Sequence, residues 1–198
     1  MTSKKTRGFT MLELLITIGI SLTMAGVTFI ALMPLFNQNH VDAAFDTTFS
    51  VISSSRNLAT TQTRRYVLTF TSPGTITVQY WPGGTASTLV PVNTYTLPSD
   101  IQFAVQPGFP NPGPDSLGDG TQPVAFNPCT VIEAGQPCLV FYPDGSAQDD
   151  AGNYNGGVVY LTRPSDVYSS RAISVIGPSG KIRGWRLYNQ SGNMWAQQ

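Results

Sequence analysis

The chain has 198 residues, of which 11 % are charged, far below the usual quarter. Its formal net charge is zero, and three of its eleven basic residues lie in residues 1–8, so the remainder carries eight bases against eleven acids. This balance argues against a generally basic nucleic-acid-binding protein and leaves only local basic patches.

The first predicted element is an apolar helix behind a short basic leader that contains Lys4, Lys5 and Arg7. Residues 9–36 contain one charged side chain, Glu13. That length is sufficient to cross a bilayer, and the leader's positive charges predict a cytoplasmic N-terminus. An ordinary secretory signal is cut after its apolar region. A cut before residue 9 would instead keep the helix and make Glu13 the fifth residue of the mature chain.

The stretch RGFTMLELLITIGI resembles the prepilin leader of type IV pilins and type II secretion pseudopilins. The matching residues are Gly8, Phe9, Thr10, Leu12 and Glu13. The resemblance implies that a prepilin peptidase and N-methyltransferase cuts after Gly8 and methylates the new N-terminal Phe9. It also implies a single-pass protein of the bacterial inner membrane with a periplasmic C-terminal domain. Such a protein joins other pilin or pseudopilin subunits through its N-terminal helix, at an inner-membrane assembly platform.

Glu13 is the residue of this segment that most needs an explanation. A carboxylate in a bilayer is costly, and such groups usually pair with another group. The resemblance implies that Glu13 meets the N-terminal amine of a neighbouring subunit during assembly. The alternative is an ordinary signal anchor that tolerates a glutamate near the membrane interface.

The helical pattern continues through residues 37–65 as an amphipathic second half, so that the whole helix runs from about residue 9 to about residue 65. Pro34 predicts a kink, because it leaves the carbonyl of Ile30 without its helical donor. The apolar positions of the second half recur at close to helical spacing. They are Val41, Ala44, Phe45, Phe49, Ile52 and Ala59.

The polar side chains of this second half are predicted to be solvated. His40 is expected to lie just outside the membrane, with no metal or catalytic role. Arg56, Arg64 and Arg65 are expected on the helix surface. The alternative for Arg56 is a pair with an acid of the globular domain.

Residues 66–198 are predicted to form a β-rich globular domain. YVLTFTSPGTITVQYW predicts two strands joined at Ser72-Pro73-Gly74. Residues 107–123, rich in proline and glycine, predict a surface loop or insertion. The predicted fold is α+β and pilin-like: a long N-terminal helix, transmembrane in its first half, packed on an antiparallel sheet. Further candidate strands are residues 88–96, 101–106, 138–142, 157–163, 171–177 and 181–188.

Two cysteines, Cys129 and Cys138, are close in sequence. If the domain is exported, they predict a disulfide that closes a short loop. Two unpaired buried thiols are the alternative. Because His40 is the chain's one histidine and lies far away in sequence, a zinc site is disfavoured.

The C-terminal half resembles the GspH/FimT family of minor pseudopilins and minor pilins. The resemblance rests on LVFYPDGSA, GGVVYLTR and RAISVIGPSGKIRGWRLY, with SRNLATTQTRRYVLTF as a further match. The turn Pro143-Asp144-Gly145 and the closing hairpin from Gly180 to Arg183 carry the family pattern, except that Lys181 stands where arginine is common.

Two candidate ligand sites follow from charged residues of this half. Lys181, Arg183 and Arg186 form a candidate DNA-binding group, since in some FimT-type pilins this hairpin binds DNA. The alternative is a solvated strand face, and strand alternation puts Arg186 on the other face unless Gly184 forms a bulge. The calcium candidates are Asp144, Asp149 and Asp150, with Asn153 nearby; a plain solvated turn is the alternative.

The sequence predicts a structural protein and no enzyme. It contains no G-x-S-x-G, no P-loop and no metal-spaced His/Cys set, and it predicts no cofactor. The predicted function is that of a minor pseudopilin or pilin in the tip complex of a type II secretion pseudopilus or type IV pilus. The alternatives are a DNA-binding minor pilin for natural transformation and a major fibre-forming pilin, against which the closing hairpin argues.

Overall fold

The structure, a computed structural model, describes residues 9–83, 89–132, 135–164, 166–189 and 192–198. For residues 31 and 33–38 it describes the backbone alone. The predicted leader, residues 1–8, and the first residue of the candidate strand 88–96 lie outside the described residues. The chain divides into two units, Met1–Asn39 and His40–Gln198.

A single long helix, α1, spans Met11–Gln62, which confirms the predicted helix to within three residues at each end. The helix ends where Thr63 takes a left-handed φ of 53° and the N–H of Arg64 donates to the carbonyl of Ala59 at 3.1 Å. The helix is continuous through residue 34, and the kink at Pro34 stays a prediction.

The first unit contains an apolar helical segment, Met11–Ile30, with a mean hydropathy of 1.8. None of this segment is buried within the chain. Its 20 residues are long enough to cross a membrane. The segment is therefore compatible with membrane anchoring.

The second unit contains two five-stranded antiparallel sheets, where the sequence analysis expected one. Their orders are β3-β2-β1-β5-β6 and β10-β9-β8-β7-β4. The predicted β1–β2 hairpin is confirmed. The strands are β1 Arg65–Thr71, β2 Thr75–Trp81, β3 Val90–Thr96, β4 Gln102–Phe103, β5 Cys138–Phe141, β6 Ala147–Gln148, β7 Gly157–Arg163, β8 Asp166–Ile176, β9 Lys181–Asn189 and β10 Asn193–Gln197.

The core of this unit contains the apolar stripe of α1 and the inner faces of both sheets. Ile52 of α1, Leu68 of β1 and Ile173 of β8 are completely buried in one cluster. Burying each such side chain contributes about 1.5–3 kcal/mol. The fold is thus α+β, with the second half of the helix packed on antiparallel sheets.

The 107–123 segment, predicted as a surface loop or insertion, has only residues 113 and 114 buried, and it also packs against the second sheet. It contains a short 3-10 turn, Pro114–Ser116, in which Pro114 is buried. The ring of Phe109 lies 5.3 Å from that of Tyr160 and 5.2 Å from that of Trp195. The loop therefore covers part of the outer face of the second sheet, because that face carries aromatic side chains that would otherwise meet water.

Candidate functional sites

The N-terminus of α1 is held by Thr10. Its hydroxyl accepts a hydrogen bond from the backbone N–H of Glu13 at 3.2 Å, and its carbonyl accepts from the N–H of Leu14 at 3.2 Å. Thr10 and Glu13 have the Ser/Thr-x-x-Glu spacing of a capping box. The carboxylate of Glu13 is in no salt bridge among the described residues.

The other polar side chains of the segment Met11–Ile30 are all hydroxyls, and each donates to its own helix. The acceptors are the carbonyls three or four residues earlier, at 2.8–2.9 Å. A lipid environment requires such internal satisfaction of polar groups. Glu13 is therefore the one side chain of this segment that still needs a partner. The hydroxyls are those of Thr17, Ser21, Thr23 and Thr28.

The basic residues of β9 lie on two faces. Strand β9 pairs with β8 in unbroken register, with Ser174 opposite Arg183 and Arg171 opposite Arg186. The bulge at Gly184 that would have brought Arg186 to the face of Lys181 and Arg183 is absent from this register. Alternation therefore separates Arg186 from Lys181 and Arg183.

Arg183 and Arg186 also have different partners. Nη1 of Arg183 pairs with Oδ1 of Asp115, a side chain that is only 10 % exposed. The other oxygen, Oδ2, accepts from the hydroxyl of Ser174 at 2.5 Å. The guanidinium of Arg186 lies over the ring of Tyr188, 5.5 Å from its centroid. Lys181 is exposed and forms no salt bridge among the described residues. DNA binding stays a prediction. Of its three candidate residues, Lys181 is the one that these contacts leave without a partner side chain among the described residues.

The three calcium candidates act as separate backbone acceptors. Asp144 accepts from the N–H of Ser146 at 2.9 Å, and Asp149 accepts from the N–H groups of Ala151 and Asn153. Hydrogen bonds from Ser146 hold the pKa of Asp144 below its ordinary value. Among the described residues, no group of three or more His, Cys, Asp or Glu side chains is placed to hold a metal ion.

Asp150 supports the loop closed by the disulfide Cys129–Cys138, whose Cα atoms are 5.6 Å apart. The disulfide confirms that prediction. The carboxylate of Asp150 accepts from the N–H groups of three consecutive residues of that loop. Burial raises the pKa of Asp150, but these N–H donors outweigh it, so the pKa lies below its ordinary value. The donors are Thr130, Val131 and Ile132.

The arginines expected to be solvated have specific contacts. Arg56 donates from Nε to the carbonyl of Gly145 at 3.0 Å and from Nη2 to that of Ser179 at 3.1 Å. The expected solvated position and the alternative acidic partner are both wrong for Arg56, because backbone carbonyls bind it. Arg64 lies over the ring of Tyr80 at 4.8 Å. Arg65 lies over Trp81 at 4.7 Å and Tyr142 at 5.1 Å.

His40 is exposed, as expected, but it has a partner that the sequence analysis did not foresee. Its Nδ1 lies 3.1 Å from Oδ2 of Asp100, which is also 3.6 Å from Nε of Arg163. The contact joins the beginning of the second unit's helical part to the segment before β4.

A buried cation was also missed by the sequence analysis. Arg171 is 1 % exposed, and its Nη2 donates to Oδ1 of Asp42 at 2.6 Å. Burial lowers the pKa of Arg171, and the Asp42 charge opposes that shift. The signal in the sequence was a single arginine in the apolar strand pattern RAISVI, which predicts a paired cation wherever both strand faces are covered.

A family model described as the prokaryotic N-terminal methylation motif matches residues 3–29. The match includes the Gly8–Phe9 junction, Glu13 and most of the apolar segment. No curated protein and no solved structure significantly matches the chain. The motif supports a type IV pilin-like or pseudopilin-like protein with a prepilin-type leader.

Proposed function

We propose that the chain is a minor pseudopilin or minor pilin of the GspH/FimT type, a structural subunit in the tip complex of a type II secretion pseudopilus or a type IV pilus. The observation that carries the proposal is the methylation motif at residues 3–29, which overlaps an apolar helical segment, Met11–Ile30, whose one carboxylate, Glu13, has no ionic partner among the described residues. Motifs of this kind serve assembly and not catalysis, so the proposed role is structural.

The proposal gives Glu13 its missing partner. Cleavage between Gly8 and Phe9 creates an α-amino group four residues before Glu13. Both groups are costly in lipid when alone, and a pair formed between neighbouring subunits offsets the cost of each. The hydroxyls of the same segment do not serve as partners for Glu13, since each donates its proton to a carbonyl of its own helix.

The proposed location is the bacterial inner membrane, with a cytoplasmic N-terminus and residues 66–198 in the periplasm. The disulfide supports export, because disulfides persist in oxidising compartments such as the periplasm. The proposed partners are the prepilin peptidase and N-methyltransferase, the assembly platform and other pilin-like subunits. The two sheets and the packed loop would then form the periplasmic body of the subunit.

Mass spectrometry of the membrane-extracted protein tests the proposal. We expect a chain that begins at methylated Phe9 when the peptidase is present. In a matched host without the peptidase, the chain should still begin at Met1. A chain that begins at Met1 in both hosts would contradict the pilin assignment.

A DNA-binding minor pilin is the second candidate function. The observation in its favour is Lys181, an exposed cation without an acidic partner among the described residues. The pairing of Arg183 with Asp115 weakens it, because a phosphate would have to displace a largely buried carboxylate.

A further inference from the structure

A groove separates the second half of α1 from strand β9. Two cavities of about 280 and 300 Å³ form it. Phe49 and Ile182 line both cavities, so the two are adjacent. All of the lining residues belong to the second unit.

The middle of the groove is apolar. The half-buried rings of Phe45 and Phe49 lie 5.9 Å apart. The ring of Phe45 rests against Gly184, where any Cβ would clash with it. Ile182 completes this surface. Part of each side chain remains open to solvent, so an apolar group placed there would be removed from water.

Arg56 lines one end of the groove, with Lys181 at the rim. The bonds to Gly145 and Ser179 fix the Arg56 guanidinium, and its Nη1 donates to no atom of the described residues. No carboxylate lines this cavity. A fixed guanidinium with free N–H donors is suited to bind a carboxylate, since little side-chain entropy is lost on binding.

Asp46 lines the other end together with Arg183, whose charge is already paired with Asp115. Asp46 is exposed and forms no salt bridge within the described part of the chain. Arg56 follows Asp46 by ten residues of helix, a rise of about 15 Å. An extended peptide covers that distance with about five residues.

We propose that this groove binds an extended segment of a partner polypeptide, with a carboxylate at Arg56, an apolar side chain on Phe45 and Phe49, and a cation at Asp46. The groove has a cation, Arg56, at one end and an anion, Asp46, at the other. This order of charges favours a peptide over a nucleic acid, because a phosphate bound at Arg56 would be followed by a second phosphate that Asp46 repels. The proposal does not depend on the pilin-like function, although a filament subunit is one protein with neighbours that could supply the segment.

Binding is tested with the full chain in detergent micelles and the peptide acetyl-Asp-Ala-Leu-Ala-Lys-amide, followed by NMR titration. We expect saturable shifts at Phe49, Ile182 and Gly184. The neutral peptide acetyl-Asn-Ala-Leu-Ala-Gln-amide should bind about threefold to tenfold more weakly, as expected for the loss of two exposed ion pairs. In the charged peptide, replacing leucine by alanine should also weaken binding, because the apolar contact with Phe45 and Phe49 is lost.

The variant Asp46→Lys makes the test specific. It should weaken binding of the Asp/Lys peptide and strengthen binding of a peptide with aspartate at both ends. Asn57→Asp, which places a carboxylate beside Arg56, should also weaken binding of the Asp/Lys peptide. Both changes are at exposed helix positions, so the fold should persist. The matched control is Ser54→Lys, an exposed helix position outside the lining and eight residues from Asp46, and it should leave both affinities unchanged.

Three outcomes would overturn the proposal. Equal binding of the charged and neutral peptides would show that neither Arg56 nor Asp46 recognises a charge on the peptide. Identical behaviour of Asp46→Lys and Ser54→Lys would place binding elsewhere. Inorganic phosphate that binds at least as tightly at equal ionic strength would make the Arg56 end a phosphate site instead.

Discussion

Glu13 has two physical explanations, and they lead to different expectations. The Thr10-x-x-Glu13 spacing is that of a capping box, in which glutamate and glutamine are both suitable. Pairing with a protonated amine inside the membrane requires the charge itself, which only a carboxylate supplies. Glutamine at this position keeps the capping function and removes the charge.

We therefore expect Glu13→Gln and Glu13→Ala to enter the membrane normally and to fail equally at joining filaments. The reason is that neither offers a charge to the amine of a neighbouring Phe9. The measurement is the share of each variant that crosslinks to neighbouring subunits, against its share in the membrane fraction. Thr17→Ala, which removes a satisfied hydroxyl of the same segment, is the control and should incorporate normally. Normal incorporation of Glu13→Gln alone would identify capping as the role.

Asp150 shows how one carboxylate can organise a loop at the residue scale. Its folded pKa lies below the ordinary value of 3.8. The ionised form therefore stabilises the fold above that pH, and this contribution is lost as the pH falls through the folded pKa. A carboxylate that accepts several N–H bonds contributes about 1.5–3 kcal/mol per charged hydrogen bond at most, and less where water competes.

Asp150→Asn should lower the free energy of unfolding by about 1.5–3 kcal/mol at pH 7, because the amide cannot accept all of the backbone donors. The difference from the wild type should shrink as the pH falls below 3.8. Urea unfolding at several pH values measures both effects. Asp149→Asn removes a neighbouring charge from a half-buried position with two backbone donors in place of three, and should cost less. If the difference in free energy of unfolding between Asp150→Asn and the wild type does not change with pH, the ionised carboxylate is not what stabilises the loop.

At the scale of elements, Arg56 and Gly180 hold two turns together. The first is the Pro143-Asp144-Gly145 turn, and the second joins β8 to β9. Gly180 has a φ of +58°, and a Cβ there would clash with the carbonyl oxygen of Gly145 and lie 2.8 Å from Nε of Arg56. The two motifs of the closing region are therefore in contact with each other and with α1.

Gly180→Ala should destabilise the protein by more than the left-handed backbone alone would cost, which is about 1–2 kcal/mol. The added cost comes from separating the two turns. The matched control is Gly135→Ala, which also has a positive φ, of 86°, but has nothing within 4 Å of its new Cβ. Thermal unfolding compares the two. Equal losses of stability would show that the approach of the turns contributes nothing.

Local patterns predicted the elements that rest on local physics. The helix and the β1–β2 hairpin follow from periodicity and from turn residues that act over a few positions. The two-residue strand β6 and the last strand, β10, were missed. A short strand has no period to detect, and β10 is a strand by virtue of pairing with β9.

The candidate sites divide in the same way. The membrane segment and Glu13 were visible because one charge interrupts a long apolar run. The roles of Asp115, Asp150 and Asp42 depend on residues 18 to 129 positions away. No local pattern specifies such contacts, so the sequence offered only a calcium site or a solvated turn for Asp150, and a DNA-binding group or a solvated face for Arg183.

At the scale of the whole molecule, the distribution of cations limits how the globular unit could bind DNA. Arg171 and Arg186 lie on the sheet face opposite to that of Lys181 and Arg183, and Arg183 is paired with Asp115. A straight duplex contacts one face at a time. The three candidate residues therefore cannot all reach phosphates of the same site without movement of the 107–123 loop or of β9.

Three simultaneous contacts to a duplex would give a log–log salt slope of about −2.7, since each contact adds about −0.9. We expect the wild-type chain, titrated with labelled duplex in detergent at several salt concentrations, to show a slope no steeper than about −1.8. Lys181→Ala should reduce binding, whereas Arg186→Ala should leave it nearly unchanged. Asp115→Asn, which releases Arg183, should tighten binding and steepen the slope by about 0.9 if the loop keeps its position.

A wild-type slope of −2.7 with equal losses from all three alanine changes would mean that the hairpin rearranges on binding. If binding is undetectable even at low ionic strength, the DNA-binding alternative fails and the structural role remains.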